Sequence, residues 1–181
     1  MLRGAAGLVG AGVVGAWGGP TAYAAEPPRV RRVVARRSGP FEVLALLDAH
    51  GAFPLTAHET FPSAGEDDWE RARLVDPAAF GPDDSWELDF RCYAVRRPGG
   101  RVTLVDTGVG PAGSPAAAWA PVPGRLPDVL RCAGIGRDDV DSVVLTHLHE
   151  DHYGWVVSPD GEPMFPGARH IVQAAELAAL G

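Results

Sequence analysis

Lysine is absent from this 181-residue chain; all 16 basic residues are arginine. That excludes chemistry built on an amine nucleophile, such as a Schiff base, and the lysine of a phosphate-binding loop. Cysteine is scarce. Cys92 and Cys132 stand alone and no C-x-x-C occurs, which excludes a thioredoxin-like motif and a zinc ribbon, and both thiols read as core residues. No apolar run reaches the ~18 residues of a membrane-spanning helix, so stable membrane insertion is not expected. Glycine and proline, by contrast, are plentiful. The 23 Gly and 17 Pro make about 22% of the chain, just under the ~25–30% of low-complexity sequence, and a turn-rich globular fold is expected.

Charge is unevenly spread. The first 40 residues carry six Arg and one Glu; the rest carry ten Arg and 22 acids. An acidic body disfavours nucleic acid as a partner. Residues 1–24 read as a secretory signal peptide: Arg3, an apolar stretch from Gly4 to Trp17, then the small-residue site Ala22-Tyr-Ala24. Export follows from that reading, and a cytoplasmic protein with an amino-terminal extension is the alternative. Residues 25–40 read as a basic linker, and residues 41–181 as the folded domain.

Within that domain Phe41–Asp48 is a short apolar run that predicts a strand. Residues 51–85 are rich in Pro, Gly and acids without a clear period, and read as a functional flap or as a stretch hiding short helices. Glu87–Arg96 alternates, with Leu88, Phe90, Cys92 and Ala94 on one face; Pro98-Gly-Gly100 turns the chain and Arg101–Asp106 returns as a hairpin partner. Leu126–Ala133 has helical spacing with Gly134 to end it. Ser142–Thr146 reads as a buried strand, Arg169–Val172 as another, and Ala174–Leu180 as the start of a helix. Strands followed by a helix and further strands predict a layered α/β architecture.

The chemistry sits in Thr146-His147-Leu148-His149-Glu150-Asp151-His152. Composition alone yields H-x-H-x-D-H about once in 2,000 chains of this length. The run follows directly on an apolar strand, and strand ends are where α/β folds place their sites. In extended backbone His147 and His149 face one side, while Asp151 and His152 follow where the chain must turn. Three imidazoles and a carboxylate so close together are ligands for a first-row metal, zinc by default.

Residues 146–154, Thr-His-Leu-His-Glu-Asp-His-Tyr-Gly, resemble the metal-binding signature of the metallo-β-lactamase superfamily. Leu104-Val-Asp106-Thr107-Gly108 resembles that family's Asp-Thr-Gly loop, and Phe165–Val172 resembles the strand after its metal loop. The flavour is that of the N-acyl homoserine lactonases and related esterases or organophosphate hydrolases. The resemblance implies an αβ/βα sandwich with up to two zinc ions. It implies His147 and His149 as ligands of the first, Asp151 and His152 as ligands of the second, and Asp106 as the carboxylate that steadies the site. Asp106 also reads as a turn residue capping its own backbone. The implied activity is hydrolysis of a lactone, ester or related small molecule by metal-activated hydroxide, with Asp151 also steering that hydroxide or its proton. Glu150 reads as solvent-facing.

The chain departs from the family after this cluster. The remaining ligands implied by the resemblance lie in the second half of the fold, and only His170 follows the motif here. It falls in an expected strand and reads as structural. Each zinc therefore keeps at most two protein ligands, and one face of the sheet lacks its cover. A truncated amino-terminal portion of the sandwich is the expectation, and an inactive fragment with weak or no metal binding is the alternative to a working hydrolase. A nucleic-acid-processing relative is disfavoured by the acidic body. Nothing in the sequence fixes an oligomeric state.

Overall fold

A computed structural model describes residues 32–179; the signal-peptide reading lies outside them. Six strands run in sequence order across one sheet: β1 (Val33–Ser38), β2 (Phe41–Ala52), β3 (Glu87–Arg96), β4 (Val102–Val105), β5 (Val140–Leu145) and β6 (Arg169–Val172). Neighbours are antiparallel from β1 to β4 and parallel from β4 to β6. The switch to parallel pairing needs a crossover, and α3 (Leu126–Cys132) lies in it. Leu126, Val129 and Leu130 of α3 pack onto Leu44, Leu46, Cys92, Ala94, Leu104 and Val143 of the sheet.

Several expectations are corrected. Residues 33–38 are not linker but β1, an edge strand whose Val33 and Val34 are half-buried while Arg36 and Arg37 stay in water. The 51–85 stretch, by contrast, hides short helices as one of its two readings had it, α1 (Ala57–Thr60) and α2 (Glu66–Val75). The first starts on a reciprocal cap, in which Thr56 Oγ1 accepts from Glu59 N–H and Glu59 Oε2 accepts from Thr56 N–H. In the second only Trp69 is buried, so no apolar period marked it. Cys92 is wholly buried, as expected, but Cys132 is exposed on the outer side of α3.

The opposite face of the sheet is different. Register places Val34, Ala45, Tyr93, Val105, Val144 and Ile171 side by side across all six strands. None of the six is buried, and Tyr93 is 44% exposed. An apolar row of this length on a sheet face that no other described element covers is unusual for a self-sufficient layer.

Two loops at the β4 and β5 ends are nested by backbone contact. Thr107 N–H donates to His152 O at 2.6 Å, Gly154 N–H to Gly108 O at 2.8 Å and Trp155 N–H to Thr107 O at 3.2 Å. Gly154 has ordinary helical dihedrals, so conformation does not demand glycine there. Space does, because a Cβ would sit well inside contact distance of the Val109 backbone carbon. Gly154→Ala is expected to destabilise the fold by about 3 kcal/mol, whereas Gly113→Ala, which meets nothing within 4 Å, stays within about 0.5 kcal/mol. Equal stabilities in denaturant unfolding would show that the two loops are not interlocked.

Candidate functional site

β5 ends at Leu145 and the chain bends through residues 146–149, His149 itself being extended, before α4 (Glu150–Tyr153) turns it back. The expected pair of imidazoles does come together. The His147 and His149 rings lie 4.6 Å apart, with Nε2 of the first 3.2 Å from Nδ1 of the second. The helical turn then carries Asp151 and His152 to the same place, with Asp151 Oδ2 3.3 Å from His152 Nε2. The His152 ring centre is 3.9 Å from that of His147.

Asp106 arrives from the neighbouring loop, just beyond β4. Its φ of +60° is left-handed, a conformation that costs a non-glycine residue on the order of 1 kcal/mol. It does not cap its own turn. Oδ1 accepts from Thr146 N–H at 2.8 Å, and Oδ2 lies 2.9 Å from His152 Nδ1. Thr146 Oγ1 completes the triangle at 2.9 Å from Oδ2. Strain in the backbone is thus offset by a carboxylate held between both arms of the loop.

The charges are mutually dependent. His152 is pushed up to about 9, chiefly by its hydrogen bond to Asp106 and then by Asp151, with burial opposing. Burial is the largest single influence on Asp106 and Asp151 and would raise both, but the hydrogen bond and charge of His152, joined by Thr146 at Asp106 and by a backbone donor and His147 at Asp151, together hold both carboxyls below their usual range.

Glu150 does not face solvent freely as expected. It is half-buried and accepts from the Trp119 indole at 3.0 Å. Trp119 in turn packs on Phe53 and Phe90, and Phe53 on Trp86, so these aromatic residues pack among themselves beside α4. His50 pairs with Asp89 and His58 with Asp84. His170 is exposed on β6. Beside Asp151 and His152 a cavity of about 340 Å³ is lined by Leu88, Phe90, Arg91 and Tyr93.

One important residue carried no signal as a site residue: Asp48. The β2–β3 register shifts between Leu47 and Ala49, and the bulge turns Asp48 inward until it is 0% exposed. A lone acid inside an apolar run was the available clue, since buried Asp is rare unless it is partnered.

Residues 91–177 match the sequence model of the metallo-beta-lactamase superfamily. That match covers just under half of the chain. No curated protein matches the chain. Among solved structures, AbOPH, a hydrolase in the beta lactamase superfamily, is 22% identical with a TM-score of 0.60, over 83% of this chain and 47% of that one. AidC, a dizinc quorum-quenching lactonase solved with a product, is 21% identical with a TM-score of 0.63, over 80% and 45%. A probable metal-dependent hydrolase from Staphylococcus aureus is 16% identical with a TM-score of 0.63, over 79% and 50%. At such identities the shared property is the fold. The chain spans about half the length of these structures. The expected metallo-β-lactamase architecture is therefore present, covering roughly half of the complete fold.

Because the folded His152 value lies above its ordinary 6.5, its pairing contributes stability that is complete below about 6.5 and is lost as pH rises through about 9. In chelator-treated protein, NMR of the imidazoles is expected to show His152 titrating near 9, and Asp106→Asn should move it back toward 6.5 while flattening the alkaline loss of stability. A His152 that titrates near 6.5 in the unmodified chain would refute the pairing.

Proposed function

We propose that this chain carries the first part of a zinc-dependent hydrolase site, acting on a lactone, ester or related small molecule. His147 and His149 would hold one ion, and Asp151 and His152 a second. Asp106 would orient His152 through its Nδ1, since the partner on the far nitrogen sets a ligating imidazole's tautomer and basicity.

The observation that carries the reading is the spacing of the donors. Tetrahedral zinc at ~2.0–2.1 Å from each ligand separates neighbouring donors by about 3.3 Å. His147 Nε2 and His149 Nδ1 are 3.2 Å apart, and Asp151 Oδ2 and His152 Nε2 are 3.3 Å apart. Each pair is spaced like one edge of such a site. No group of three or more His, Cys, Asp or Glu poised to hold a metal occurs among the described residues, so any further donors come from elsewhere. The same observation favours a second reading, in which the chain alone binds metal weakly and does not turn over.

Bound zinc supplies a water acidified toward neutrality and a Lewis acid for the substrate oxygen. The protein's own part is positional. Asp106 fixes the His152 ring, Thr146 fixes Asp106, and Asp151 Oδ2 offers an acceptor for a proton on the ligand side of the loop. The cavity beside Asp151 is of a size for a small molecule, with Leu88 and Phe90 as its apolar wall and Arg91 as its cation. The amino-terminal export signal belongs to the same proposal, as does a small-molecule partner in place of nucleic acid.

Zinc titration with a competing chelator, alongside hydrolysis of lactones, esters and phosphotriesters, tests this. Uptake of zinc with turnover is expected, and His147→Ala should reduce turnover at least 100-fold. Because His152 must lose its proton to ligate, affinity should rise about tenfold per pH unit up to about 9. A chain that stays metal-free, or turnover indifferent to chelators, would defeat the reading.

A further inference from the structure

Asp48 lies outside the donor cluster, yet its carboxylate joins three separate parts of the chain. Oδ2 accepts from Val109 N–H at 2.7 Å, Oδ1 accepts from Leu126 N–H at 2.6 Å, and Oδ1 also accepts from the Trp155 indole N–H at 3.1 Å. Its own carbonyl accepts from Arg125 N–H at 2.9 Å. Gly108 and Gly124 lie so close that a Cβ on either would collide with the carboxylate. No arginine is hydrogen-bonded to it through its side chain among the described residues; the charge is met by N–H dipoles alone, two of the backbone and one of an indole.

What those three donors belong to matters. Val109 follows directly on the Asp-Thr-Gly loop, and Trp155 directly on the metal loop. Between them run the backbone bonds Thr107 to His152 and Gly154 to Gly108. Asp48 therefore clamps the far side of the two loops whose near side presents Asp106 and His152. The Leu126 bond fixes the same carboxylate to the start of α3, which is itself locked in the core.

We propose that Asp48 is a positioning residue for the metal loop, holding the Asp-Thr-Gly loop and the His152–Trp155 turn in register from behind. This deepens the functional reading given above and rests on it for its metal consequence. Asparagine is nearly isosteric, but its NH2 must face one of the N–H donors, so a buried donor loses its acceptor.

The test compares Asp48→Asn with Leu130→Ala, a core variant on α3 away from the loops. Three quantities are measured on the folded chain: denaturant stability, zinc affinity by chelator competition, and amide hydrogen exchange. Asp48→Asn is expected to speed exchange of the Thr107 and Gly154 amides, which do not touch Asp48, at least tenfold relative to Leu104 and Val143 in the sheet. It should weaken zinc about tenfold or more, as loss of outer partners of a metal site does. Leu130→Ala should lower stability while leaving both the loop-to-sheet exchange ratio and zinc affinity near wild type. If Asp48→Asn does not fold, Trp155→Phe removes one donor to the same carboxylate and takes its place, with the same direction expected. An unmodified chain that takes up no zinc defeats the functional reading, and exchange alone then decides the positioning role. Equal loop-to-sheet exchange ratios in the loop variant and in Leu130→Ala would overturn it.

Discussion

Three backbone hydrogen bonds between residues 107–108 and 152–155 fix where every candidate ligand stands. They join two loops that leave adjacent parallel strands, β4 and β5, whose pairing brings Val105 opposite Val144. The strand register thus sets the loop register, and the loop register brings Asp106 to His152. Neither loop has a regular element long enough to hold itself. α4 is a single four-residue turn, far below the length at which a helix is stable alone. Its order comes from being tied to the Asp-Thr-Gly loop, and the glycines at 110 and 154 are what let the two backbones approach that closely.

Crowding three imidazoles and two carboxylates into this space carries an electrostatic cost that the site partly resolves by itself. His152 holds a proton between Asp106 and Asp151, and both acids are kept on the ionised side. Under the proposed function a divalent cation and a proton would compete for the same nitrogen. Asp106 serves in either state, since it faces Nδ1 and leaves Nε2 toward Asp151. That is why a left-handed φ at Asp106 is tolerated: a residue relaxed into its own turn would surrender both Thr146 and His152.

The parts legible in the sequence were those with a local signature. Alternation gave β3 with Phe90, Cys92 and Ala94 inward, and the close H-x-H spacing kept His147 beside His149 through a bent segment. What was not legible depended on distant partners. β1 has two valines and two arginines in six residues and becomes a strand only because β2 offers an edge. α2 is polar on most of its surface and is anchored by Trp69. Asp48 read as the end of an apolar run, and its burial follows from a bulge and from three donors 61, 78 and 107 residues away. Glu150 looked exposed because Trp119, its donor, lies in a loop that has no period to place it.

The exposed apolar row and the candidate donors come together at one place. Val105 and Val144 belong to the apolar row, and the residues just beyond them on the same strands lead into Asp106 and Thr146. A layer laid over that row would bring its own side chains to the rim where His147, His149, Asp151 and His152 point their nitrogens and oxygens. Under the proposed function each ion needs donors that the described residues do not supply, and the sheet needs apolar surface to cover Tyr93 and Ile171. One packing event would meet both needs, because hydrophobic burial is non-directional and strong whereas a metal site needs donors set to within about 0.5 Å. Burial would bring the second layer in, and Asp48 and Asp106, already fixed from behind and beside, would set the geometry to which its donors must conform.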